Sequence, residues 1–374
     1  MTNLKKPGRQ ANYLTLIFLI MFATGCSSKK AGQSEFYSDT DFHNLNKIDI
    51  HCHVNTGKPA FMEQAVADNF RILTINTDAP IGVTIEQQQD SAIFLRKTFP
   101  NNLEYLTTFS MKGWDNDDWQ GKALAYLKES FEKGAIGVKV WKNIGMVEKD
   151  EKGKFIMIDD PKFDPIFNYL VENGIPVCGH LGEPRNCWLP IDSMTVNNDK
   201  LYFRDHPEYH MYLHPEYPSY EEQVAARDRM LEKHPNMKFM GAHLGSMEWN
   251  TDLIAEHFNR FPNMTVDLAE RISHIQAQTQ ADWQKVHDFF IKYQDRIIYG
   301  TDRGDYVASE KDPEKLKAKV HEDWTSDWKF LTTDEPMTSP LINGQFKGLK
   351  LPKKVIDKIY YQNAEKAFPG FKNL

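Results

Sequence analysis

Two histidines one residue apart, His51 and His53, close the apolar run of "NKIDIHCHVN". Farther along, Lys139 stands in "GVKVW", His180 in "VCGHLGEP", His243 in "MGAHLGS" and Asp302 in "YGTD". A single histidine after an apolar run is usually a satisfied core or rim residue. Six such groups gathered in one place are different, because burying that many titratable side chains is costly unless something offsets it. Imidazole and carboxylate together suit a divalent cation: zinc, manganese or iron.

Gathering requires a scaffold. Short β-rich runs recur at residues 47–53, 70–76, 103–109, 136–141, 175–181, 238–244, 264–269 and 296–302, with amphipathic helical patterns between them. Eight strands alternating with helices predict an α/β fold, a closed (β/α)8 TIM barrel. An open doubly wound sheet would be expected to carry a glycine-rich phosphate turn after its first strand, and this chain carries none. In a barrel the carboxyl ends of the strands form one rim, and all six groups fall at or near those ends. The two-residue period of a strand places Asp49, His51 and His53 on the inner face, with Ile48, Ile50 and Cys52 against the helices. It also turns Lys139 and Cys178 inward, leaving Cys52 and Cys178 on opposite sides of the sheet and unable to pair. No thiol reaches the rim, which disfavours a structural zinc.

Composition narrows the partners. A net charge of −7 and the absence of any basic tract argue against nucleic-acid binding. Lys5, Lys6 and Arg9 precede the apolar run "YLTLIFLIMFA", which is too short to span a bilayer, and "ATGC" follows. This resembles a bacterial lipoprotein signal, with Ala23 where leucine is usual. It implies cleavage after residue 25, lipidation of Cys26 and export to the envelope, at the outer membrane or cell surface if the source is Gram-negative. The polar stretch that follows reads as a flexible tether over 26–45, and the barrel domain as 46–374.

"IDIHCH", "GHLGEP", "AHLGS" and "YGTD", in that order, resemble the amidohydrolase superfamily, and most closely its amidohydrolase-related branch of metal-dependent hydrolases and decarboxylases. The closing "YYQNAEKAF" is similar to that branch's final helix. The resemblance implies metal ligands at His51, His53, His180 and Asp302, with Zn2+ foremost, Mn2+ or Fe2+ as alternatives, and one ion rather than two. Asp302 would be the catalytic base, with His243 polarising the substrate or helping to activate water. Lys139 would assist at the carbonyl oxygen; in binuclear relatives a lysine on this strand is carbamylated and bridges two ions. The expected reaction is hydrolysis of a lactone, amide or ester in a small molecule, anionic ones included. The alternatives are a decarboxylase in which Arg185 or Arg271 grips the carboxylate, and a lipid-anchored binding protein that has lost its chemistry. The long loop after the fifth strand, rich in aromatics and histidine, is expected to act as a lid. It supplies Glu183, Arg185 and Trp188 as candidate substrate contacts, beside Asp267 and Arg271 from the seventh strand end. His206, His210 and His214 recur every four residues within it and read as turn chemistry.

Overall fold

The computed structural model describes residues 1–4, 8, 34–306 and 311–373. The signal-like run and Cys26 lie outside these. The chain divides into two units, Met1–Ser34 and Glu35–Leu374.

Parallel strands form the centre of the larger unit. β1 (Lys47–Val54), β2 (Phe70–Ile75) and β3 (Leu103–Leu106) make one ladder. β4 (Val138–Val140), β5 (Val177–Gly179), β6 (Phe239–Gly241), β7 (Met264–Asp267) and β8 (Ile297–Ile298) make another. Backbone bonds close the circle at both seams. Lys139 N donates to Thr107 O at 2.7 Å between β3 and β4, and Ile50 N to Tyr299 O at 3.2 Å between β1 and β8. The barrel expected from the strand count is present.

Two local departures matter for the site. The run expected as one strand over 296–302 is split: β8 bonds to β7, whereas β9 (Arg303–Asp305) bonds parallel to β1 at Cys52–Val54. Gly300 lies at the break, where a Cβ would come within 3.0 Å of His51 Cβ. The register of β1 against β2 also slips between Asp49 and Cys52, which inserts one extra residue. That bulge corrects the expected facing of the first strand's lower half. Ile48 and Ile50 point into the barrel with Leu73, Leu106, Cys178 and Met240. Asp49 instead points outward, where its carboxylate accepts from Trp324 Nε1 at 3.0 Å and Thr301 Oγ1 at 2.6 Å. Above the slip the expected facing holds: Cys52 packs with the outer apolar core, and Val138 and Val140 flank an inward Lys139. Cys52, Cys178 and Cys187 are all free thiols.

The floor of the barrel is sealed by the chain's last helical turns. Ala364, Phe368 and Phe371 pack against the inner isoleucines and leucines, and Asn363 Nδ2 donates to Ile297 O at 2.8 Å. The segment expected as a tether is partly folded as well. Phe42 is buried against Phe70 and Trp328, and Tyr37 Oη donates to Asp357 at 2.7 Å. The chain after β5 is no plain loop either. It carries the helix Asn197–Asp205 and several 3-10 turns around a small core of Cys187, Met194, Phe203 and Met211. No helix among the described residues is long and apolar enough to cross a membrane.

Candidate metal centre

The rim brings together His51, His53, His180, His243, Asp302 and Lys139, as their spacing predicts. His51 Nε2 and His53 Nε2 both approach Asp302 Oδ1, at 3.3 and 3.0 Å. Among the described residues two groups have the spacing of metal ligands: His51–His53–Asp302 and His51–His243–Asp267. Asp302 (φ +65°) and His243 (φ +59°) adopt the left-handed conformation that side chains other than glycine rarely take. Each costs about 1–3 kcal/mol and is held only by its surroundings.

The hydrogen bonds fix which nitrogen of each ring is free. His51 Nδ1 donates to Asp267 Oδ2 at 2.8 Å, and His53 Nδ1 donates to Ile75 O at 2.9 Å. A neutral imidazole that donates from Nδ1 keeps its lone pair on Nε2. His243 Nδ1 donates to Ala269 O at 3.0 Å, so its Nε2 must accept, and His180 Nδ1 donates to it across 3.2 Å. His180 is thereby left with a lone pair on Nε2, which is buried and has no partner. Burial, the largest influence, holds His51, His180 and His243 well below the usual histidine range, with neighbouring cations adding to it.

Neutral histidines whose Nε2 lone pairs face a carboxylate oxygen are the arrangement a divalent cation requires. Each imidazole is also anchored through its other nitrogen, as metal-binding histidines are. The residues present fit such an ion. Lys139 Nζ lies 3.0 Å from His51 Nε2 and 3.6 Å from Cys178 Sγ, so it sits just beneath the ligand group.

Asp267 is more central than its place at a strand end suggested. It is fully buried, holds His51 through Oδ2, and accepts the backbone N–H of His243 on Oδ1 at 2.7 Å. Its one sequence signal is an acidic residue closing an apolar strand. Arg271 also joins the centre, and its charge acts on His51, His180 and His243. Its Nε is buried and unpartnered. Arg185 and Trp188 are placed elsewhere: the guanidinium covers Trp249 at 4.2 Å, and the indole donates to Pro218 O at 3.3 Å. Glu183 pairs with Lys142 at the edge of an adjoining cleft. His210 and His214 donate to backbone carbonyls of their own segment, as turn chemistry predicts.

Buried histidines and a carboxylate converging at the carboxyl ends of a parallel eight-stranded barrel define the metal-dependent class of TIM-barrel proteins. Residues 48–370 match the amidohydrolase family, and the chain belongs to it; members of this family bind a divalent metal. No protein of curated function matches the chain. Among solved structures it is similar to an uncharacterized TIM-barrel protein from Bordetella bronchiseptica. The two share 15% identity at a TM-score of 0.50, covering 88% of this chain and 100% of that one. It is also similar to 2,6-dihydroxybenzoate decarboxylase from Rhizobium, at 14% identity and a TM-score of 0.50, covering 87% and 99%. At such identities the likeness establishes the fold.

Proposed function

We propose that the chain is a metal-dependent hydrolase that cleaves a lactone, amide or ester bond in a small anionic molecule. One divalent ion, Zn2+ foremost, would be held by His51, His53, His180 and Asp302. Such an ion lowers the pKa of bound water toward roughly 7 and polarises a carbonyl. Asp302 carries the reading: it is the rim carboxylate whose Oδ1 lies within 3.3 Å of two Nε2 atoms, and its side chain is 25% exposed toward solvent. It takes the proton of the attacking water and returns it to the leaving oxygen or nitrogen. Asp267 fixes His51, and His243 fixes His180. Lys139 supplies positive charge below the reacting carbonyl, and Arg271 binds the substrate's anionic group. Metal analysis of the purified chain, followed by a screen of lactones, amides and esters with each metal restored, tests this. A bound divalent metal with no hydrolysis of any class would overturn it.

The unpartnered Nε of Arg271 favours one second reading, decarboxylation with that guanidinium on the departing carboxylate. Release of carbon dioxide without uptake of water would select it. We further propose that Cys26 is lipidated after cleavage of residues 1–25, that residues 26–34 tether the domain to the envelope, and that the segment after β5 serves as a lid over the rim.

A further inference from the structure

Beside the metal centre lies a cleft of about 950 Å³. Its walls come from the chain after β2, β3, β4 and β5, the same rim that carries the histidines. Trp141 follows Val140 directly, and Val140 O accepts the backbone N–H of His180 at 2.9 Å. Glu183 and Lys142 pair across the boundary, and the Lys142 charge acts on His180. The cleft therefore abuts the reacting centre at Lys142 and Glu183. The volume is at the upper end of the roughly 300–1,000 Å³ typical of small-molecule sites, well beyond what one aromatic ring needs.

Two kinds of group line the cleft. One is aromatic: Trp141, Tyr217, and the pair Tyr202 and Tyr209, which stack with centroids 6.3 Å apart and planes inclined by 10°. Tyr202 and Tyr209 are 42% and 48% exposed, an arrangement that leaves flat apolar faces open to solvent. The other kind is polar. Asn143 Nδ2 bridges Asp78 and Glu148, at 3.3 Å from each, and Asn143 Oδ1 is buried without a donor. Lys112 and Lys142 add donors, with Lys142 Nζ 5.9 Å from the centre of the Trp141 ring. Asp78 and Glu148 already accept from Asn143, and Asp78 also from the Met111 N–H at 2.8 Å, so Asn143 Oδ1 is the acceptor for which a ligand must bring a donor. A ligand with no donor there leaves it unsatisfied at a cost of about 1–3 kcal/mol. A saccharide matches both kinds of group, because each sugar ring has an apolar face of C–H groups and a belt of hydroxyls that donate and accept together.

We infer that this cleft binds an oligosaccharide-sized, polyhydroxylated portion of the substrate, stacked on the aromatic rings with its hydroxyls on Asp78, Asn143 and Glu148. The inference rests on the proposed hydrolytic centre for the bond that is cleaved, but not for binding.

The test is a glycan array probed with the full-length, detergent-solubilised chain, metal-loaded and chelator-treated, at low temperature to suppress turnover. The glycan retained is then titrated calorimetrically against wild type, the double variant Tyr202→Ala/Tyr209→Ala, and Asn143→Ala. The expected result is retention of at least one glycan, with Kd raised tenfold or more in the double variant and in Asn143→Ala, and with Tm unchanged in the double variant. The tyrosines are exposed, so the double variant keeps the assay usable if Asn143→Ala does not fold. No glycan retained, or equal retention by the double variant, overturns the assignment. Glycan bound but never cleaved rejects the hydrolase reading alone; cleavage of small lactones with no glycan bound rejects the cleft alone.

Discussion

His243 Nε2 lies 3.2 Å from His180 Nδ1, so one rim histidine holds the next in position. The family resemblance implies a direct role for His243 on substrate, but its only free nitrogen is occupied by this contact. His243→Ala should therefore weaken metal binding about 10–100-fold, the range for losing a partner of a metal-bound histidine. Zinc content after dialysis against graded chelator measures this. Unchanged retention would show that His180 needs no such support.

Asp302→Asn keeps the side-chain shape and removes the proton acceptor. Turnover should fall by about 10²–10⁴, the usual contribution of general acid–base catalysis, with an unchanged circular-dichroism spectrum. A variant with near-normal activity would exclude Asp302 as the base.

The outward carboxylate of Asp49 is satisfied by Thr301 and Trp324 in the space between barrel and helix. Thr301→Val removes one donor and leaves a buried charge short of a partner, so unfolding free energy should fall by about 1–3 kcal/mol. Chemical denaturation reads the change. An unaltered midpoint would mean that Trp324 and the backbone N–H groups of His51 and Thr301 suffice.

Asp327 accepts a hydrogen bond from Tyr299 Oη at 2.9 Å, and burial pushes its carboxyl up to about 7. The folded chain then keeps a proton that the unfolded chain releases between pH 4 and 7. This group's contribution to stability is accordingly present below the unfolded pKa and lost as pH rises through 7. Its slope is no steeper than about 1.4 kcal/mol per pH unit. Asp327→Asn should lack that loss, so the Tm difference between variant and wild type should move in the variant's favour as pH climbs from 4 to 8. Parallel Tm curves would refute the shift.

If Cys26 is lipidated, cells fed labelled palmitate should yield a labelled chain that partitions into detergent, and Cys26→Ala should yield neither label nor partitioning. Label retained in the variant would place the lipid elsewhere.

The barrel and its rim were legible because strand period and strand end are local properties: apolar runs closing on histidine or aspartate mark both the element and its active end. The orientation of Asp49 was not, because the slip between Asp49 and Cys52 leaves no mark in "KIDIHCHV" and reverses the facing of everything before it. The role of Asp267 also escaped, since it depends on two residues distant in sequence. Phe42 and Leu45 were readable hints that the supposed tether folds back. Arg185 and Trp188 look close to His180 along the chain, yet the turns after β5 carry their side chains toward Trp249 and Pro218.

The stopper formed by Ala364, Phe368 and Phe371 has a bearing on biogenesis. The strands ahead of it can pair as they are synthesised, but Ile48, Ile50 and Leu73 stay open to water from below until residues 364–371 arrive. Chains halted before residue 364 should be sticky and vulnerable to proteases, which makes arrival of this segment the step that commits the barrel to its native form.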